Sequence, residues 1–102
     1  MNFNLKHNPA ALNDVKKILE FLSEIHHDLP RRFRNELANT FEELDSFPER
    51  WPALPNSVRA ARMNLSKKLR FYIFYHLKET EIRVLRILPQ SADPENWPST
   101  YI

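Results

Sequence analysis

Along this 102-residue chain the spacing of apolar side chains shifts from two to three-and-four and back to two. Each shift predicts a change of element. Residues 2–6 (NFNLK) alternate, with Phe3 and Leu5 on one side, as in a short strand. Asn8 and Pro9 then predict a helix start, Asn8 as N-cap and Pro9 in the first helical position. Leu12, Val15, Ile18, Leu19, Leu22 and Ile25 follow at helical spacing to about His26. His26-His27-Asp28 makes a corner, with Asp28 the cap of a second helix. That helix carries Phe33, Leu37, Thr40, Phe41 and Leu44, with Phe47 packing near its end and Pro48 closing it.

Residues 47–56 (FPERWPALPN) hold three prolines and no regular period, and predict a connector. Strands are predicted at about 57–64, 69–77 and 81–88, the last two joined by Lys78-Glu79-Thr80 as a hairpin. The tail SADPENWPSTYI is turn-rich and is expected to wrap over the body. The order strand-helix-helix-strand-strand-strand gives an α+β class. A helical hairpin would pack on one face of a small, mainly antiparallel sheet, with residues 1–102 forming one domain.

Composition removes several function classes. Without cysteine there are no disulfides or thiolate metal sites. Without glycine, phosphate-cradling loops, the dinucleotide fingerprint and the nucleophile elbow are excluded, because each needs a tight turn or a close backbone approach. No cofactor is expected. The start MNFNLKHNPA carries no apolar run and no stretch reaches membrane-spanning length, so a soluble cytoplasmic chain with no membrane partner is expected.

Charge adds an asymmetry. Residues 1–56 carry seven Lys/Arg against nine Asp/Glu, whereas residues 57–102 carry eight against four. Arg59, Arg62, Lys67, Lys68 and Arg70 follow one another with no acid between them. Such a run fits an anionic partner, nucleic acid or an acidic polypeptide, and equally a solvated face.

Candidate chemistry is sparse. His7, His26, His27 and His76 lack metal-ligand spacing and are expected at exposed corners, so no metal site is assigned. Ser66, His76 and Asp93 offer a triad's residue types without a nucleophile motif. Glu42, Glu43 and Asp45 suit a solvated helix face. In the aromatic strand, Phe71, Ile73, Tyr75 and Leu77 share the face expected beneath the helical hairpin. Arg70, Tyr72, Phe74 and His76 share the other, expected to be an open concave face able to hold a polyanion or a peptide. Bases could stack there on Tyr72. Arg83 and Arg86, three apart, are expected on opposite faces of the last strand.

The segments ELDSFPERWP, VRAARM, RFYIFYHL, EIRVLRIL and SADPENW, in this order, resemble the RelE/ParE superfamily of toxin–antitoxin toxins, and more closely its ParE, or plasmid stabilisation, branch. The ending Asp93-Pro94-Glu95-x-Trp97 is the most specific match. The resemblance spans nearly the whole chain. It implies a small growth-inhibiting toxin bound and neutralised by a cognate antitoxin, as a homodimer or a hetero-oligomer with it.

Two mechanisms come with the resemblance. ParE-like members poison DNA gyrase, and RelE-like members cut mRNA in the ribosome with basic and aromatic side chains on the concave sheet face. This chain departs from the nuclease pattern. Tyr72 stands where RelE-like nucleases carry arginine, and Pro89-Gln90-Ser91-Ala92 stands where similar toxins show histidine and arginines. Cleavage needs a base, phosphate-directed charge and an acid, which proline and alanine do not supply. A gyrase-binding toxin with no enzymatic activity is therefore the leading expectation. In it Arg59, Arg62, Lys67, Lys68, Arg70 and Arg86 are the candidates for target or antitoxin binding. The alternatives are an mRNA-cleaving endoribonuclease using Tyr72, His76, Arg62 and Arg70, and a decayed member that retains only antitoxin binding.

Overall fold

The computed structural model describes residues 4–98. Strand β1 (Asn4–His7) leads into helices α1 (Pro9–Ile25) and α2 (Leu29–Ser46). Strands β2 (Arg59–Asn64), β3 (Arg70–Lys78) and β4 (Glu81–Pro89) follow, then a 3₁₀ turn at Pro94–Asn96. The sheet order is β1-β4-β3-β2, with β1 parallel to β4 and the other pairs antiparallel. The element order, the α+β class and the mainly antiparallel sheet are those expected. Phe3 and the last four residues of the tail lie outside the described residues. Among the described residues, no helix is long and apolar enough to cross a membrane.

Asn8 caps α1 by its backbone: its carbonyl accepts from the N–H groups of Ala11 and Leu12. Its side chain makes no cap bond, and accepts instead from Arg83 at 3.1 Å. The buried ridge of α1 is Ala11, Asp14, Ile18 and Leu22. It is rotated from the expected stripe, so Leu12 and Ile25 are more than half exposed. An acid occupies the ridge because its charge is met there, as described below.

Asp28 likewise stands at the N-cap of α2 without a side-chain cap bond, its carboxylate accepting from Arg31 instead. Phe33, Leu37, Thr40 and Leu44 are buried as expected, and Thr40 Oγ1 donates to the Glu36 carbonyl. Phe47 is not: it is 67% exposed. The chain leaves the helix at Phe47, and Pro48 turns inward in its place.

With no glycine to hand, two non-glycine residues among those described take positive φ, Ser57 (68°) and Glu79 (54°). Ser57 turns the connector, so β2 begins at Arg59 rather than 57. Glu79 and Thr80 form a two-residue loop between the paired Lys78 and Glu81. One such loop position needs a left-handed residue, and a side chain there costs roughly 1–2 kcal/mol.

Both faces of the sheet are packed. Phe71, Ile73, Tyr75, Ile82, Val84 and Ile87 meet the helices in the main core, and Leu77 packs partly against it. A second cluster of Val58, Phe74, Leu85 and Leu88 forms on the opposite face. The register shifts where Phe74 pairs with Arg86 and Tyr75 with Val84, leaving Leu85 as an extra residue in β4. A bulge of this kind resets the alternation. Partners directly opposite share a face, so Arg86 beside Phe74 and Arg83 beside His76 lie on the same face of β4. The expected separation of the two arginines is thereby corrected.

Candidate functional site

The face expected to be open and concave is partly covered. Asp93 accepts from the Glu95 N–H at 3.0 Å and starts the 3₁₀ turn, which delivers the Trp97 indole onto the sheet. Asn56 Nδ2 donates to the Pro98 carbonyl at 2.9 Å and ties down the far side. The Trp97 ring lies 5.4 Å from Tyr72, edge to face, and 5.2 Å from Phe74. Leu54, Ala60 and Ala92 complete the cover. Tyr72 is thus a half-buried aromatic neighbour of Trp97 and Phe74.

Of the catalytic candidates, Arg62, Arg70 and Tyr72 lie together on one face of β2 and β3, and His76 stands apart from them. Tyr72 and His76 flank Phe74 on one strand, four residues apart, a separation of roughly 13 Å between their backbones. Phe74 between them is fully buried. Arg62 stands opposite Tyr72 in the register, with its guanidinium 6.0 Å from the Trp51 ring centre. Arg70 is exposed and stands opposite Asn64. Ser66 Oγ accepts from the Lys68 and Leu69 N–H groups in the β2–β3 turn, and Asp93 is occupied with Glu95, so no triad forms.

Two of the binding candidates hold the fold. Arg86 donates to both carboxylate oxygens of Asp14, at 2.7 and 3.0 Å. That bond, with the Asp14 charge, raises the Arg86 pKa further against the opposing effect of burial. Arg59 donates to the carbonyls of Trp51 and Glu49 and fastens the connector to the edge of β2. Its charge only partly offsets the burial that pushes the Tyr75 phenol up to about 12. Tyr75 Oη donates to the buried Pro48 carbonyl at 2.6 Å.

The other cations gather elsewhere. Lys67, Lys68 and Arg70 line a cleft of about 640 Å³ together with Lys17, Ile18 and Phe21 of α1. Leu69, Phe71 and Pro89-Gln90-Ser91 complete it, and no carboxylate lines it. Lys17 and Phe21, one helical turn apart, lie on one side of α1. The five-cation run is therefore split: Arg59 and Arg62 lie by Trp51, and the remaining three face α1. Lys17 and Phe21 escaped sequence reasoning because they lie about forty residues before the run begins, and only topology joins them.

The histidines divide too. His26 and His27 are exposed at the helix corner with stacked rings, and with Asp28 they place one donor atom each within 4.8 Å of one another. Asp28 there also accepts from Arg31. His7 is not at an exposed corner: it packs 5.1 Å from Phe41, and burial lowers its pKa. His76 is half-buried as well.

Residues 5–94 match the family model described as the ParE toxin of a type II toxin–antitoxin system, parDE. No curated protein sequence matches the chain. Among solved structures, the chain is similar to the chromosomal ParDE toxin–antitoxin system from P. aeruginosa. The TM-score is 0.59 at 18% identity, over 85% of this chain and 95% of that one. The archaeal RelE–RelB complex from Pyrococcus horikoshii aligns with a TM-score of 0.48 at 15% identity, over 91% of this chain and all of that one. With the family model covering most of its length, the chain belongs to the ParE toxin family of type II toxin–antitoxin systems.

Proposed function

We propose that this toxin arrests growth by binding DNA gyrase in the cytoplasm, without cleaving RNA, and that a cognate antitoxin neutralises it. One observation supports the non-nuclease half of the reading: buried Phe74, packed against Trp97, stands between Tyr72 and His76 on β3. General acid–base cleavage needs both groups within hydrogen-bond reach of one phosphodiester, about 3 Å from the atoms that exchange protons. A backbone separation of roughly 13 Å with an apolar side chain between speaks against these two residues sharing one phosphodiester. Arg86, which could have supplied charge to the phosphate, is held by Asp14. The gyrase half rests on family membership, and a binding toxin needs no reacting groups, which agrees with this face.

The test is induction of the toxin in cells, following protein synthesis and plasmid supercoiling in parallel. The reading expects relaxation of plasmid DNA before translation falls. Early loss of translation, with mRNA cut at discrete codons and supercoiling intact, would reverse it.

A further inference from the structure

The cleft beside α1 lies apart from the sheet face that Trp97 covers. Its floor is apolar, with Phe71 buried at the bottom and Phe21 at the rim 53% exposed. A phenyl ring left half in water forgoes burial free energy that a partner can recover. Around it stand Lys17, Lys67, Lys68 and Arg70. Among the described residues none of the four makes an ion pair, whereas Arg31, Arg50, Arg83 and Arg86 each have a carboxylate. Four like charges around one apolar hollow repel one another, and an anionic occupant relieves that repulsion.

We infer that the cleft seats an acidic, amphipathic segment of the antitoxin. A large apolar side chain of that segment fills the hollow between Phe21 and Phe71, and carboxylates about one helical turn to either side meet Lys17, Lys67, Lys68 and Arg70. The inference rests on the proposed neutralisation by an antitoxin and specifies where and by what chemistry it occurs. Charge complementarity alone would also suit nucleic acid. The floor decides between them, since a phosphate backbone neutralises the rim but leaves the aromatic floor unfilled, while an apolar residue set among acids satisfies both.

The experiment uses the full chain and the full-length protein encoded by the reading frame beside its gene, with affinity measured at low and high salt. Phe21→Ser should weaken binding about tenfold, as loss of an aromatic anchor does. The Lys67→Glu/Lys68→Glu pair should weaken it more than Lys67→Gln/Lys68→Gln, and both should flatten the salt dependence. Lys6→Glu, an exposed charge on β1, should leave affinity unchanged. All these side chains are exposed, and circular dichroism verifies that each variant folds. Wild-type affinity in the Phe21 and charge-reversal variants would overturn the cleft while leaving the antitoxin reading intact. A wild type that does not bind the neighbouring protein would overturn both. Two further outcomes overturn the inference: a DNA or RNA duplex that competes for the cleft regardless of Phe21, or self-association abolished by Phe21→Ser.

Discussion

The Asp14 carboxylate, on the buried ridge of α1, accepts two hydrogen bonds from the Arg86 guanidinium, and its Oδ2 also accepts from the Ile87 N–H at 3.0 Å. Strand β1 ends at His7, paired with Val84, so β4 runs on beyond it with a free edge. Asp14 takes up that edge where no strand does. A single carboxylate thus pins α1 to the sheet and immobilises an arginine that sequence alone offers for binding.

This pair predicts an ordered set of stabilities. Arg86→Ala strands a nearly buried carboxylate and should cost about 2–4 kcal/mol in denaturant unfolding. Asp14→Asn keeps an oxygen for Ile87 and should cost less. A double-mutant cycle should return a coupling of at least about 1 kcal/mol. A cycle near zero would mean the two side chains act independently.

Tyr75 predicts a pH effect at the alkaline end. Its phenol is pushed up to about 12 by burial, against an ordinary 10. Between these values the unfolded chain releases the proton that the folded chain keeps, so stability falls as pH rises through 10 towards 12. Tyr75→Phe should cost about 1–2 kcal/mol near neutrality, because the buried Pro48 carbonyl loses its donor. The gap between wild type and variant should then narrow as pH climbs from about 9 to about 12. A constant gap would contradict the shift.

Glu79 predicts a gain. A left-handed non-glycine residue costs roughly 1–2 kcal/mol, and glycine's extra unfolded-state entropy costs about 0.5–1 kcal/mol. Glu79→Gly should therefore raise stability by roughly 0.5–1 kcal/mol with the hairpin register kept. Thermal unfolding decides it.

Trp97 covers part of the face on which a nuclease would work. Trp97→Ala should cost about 2 kcal/mol through the lost contacts with Tyr72 and Phe74. It should not create ribosome-dependent cleavage, because Tyr72 and His76 remain far apart. New cleavage by this variant would show the plug to be a removable cover on a working site.

Much of the fold was legible because it depends on period. The Asn8-Pro9 start follows from residue type, and the ridge of α2, the Phe71–Tyr75 face and the three-strand finish follow from spacing. What was not legible depends on single residues whose environment lies elsewhere in the chain. Asp14 joins an apolar ridge only because Arg86 waits across a sheet edge. Phe47 keeps helical spacing, but the chain leaves the helix at that residue. The bulge at Leu85 has no glycine to announce it, and it brings Arg83 and Arg86 to one face. At the candidate site, the basic run was visible, but its division was not. Neither was the pairing of Lys67, Lys68 and Arg70 with Lys17 and Phe21. The DPENW ending marked the family, and only its packing reveals that Trp97 covers Tyr72.

The central claim is most directly tested with one purified toxin preparation assayed against purified gyrase and against translating ribosomes. We expect wild-type toxin, and equally the Tyr72→Phe/His76→Ala double variant, to inhibit gyrase supercoiling while leaving ribosome-bound mRNA uncut. Ribosome-dependent cleavage by the wild type that the double variant loses, with gyrase unaffected by either, would contradict it.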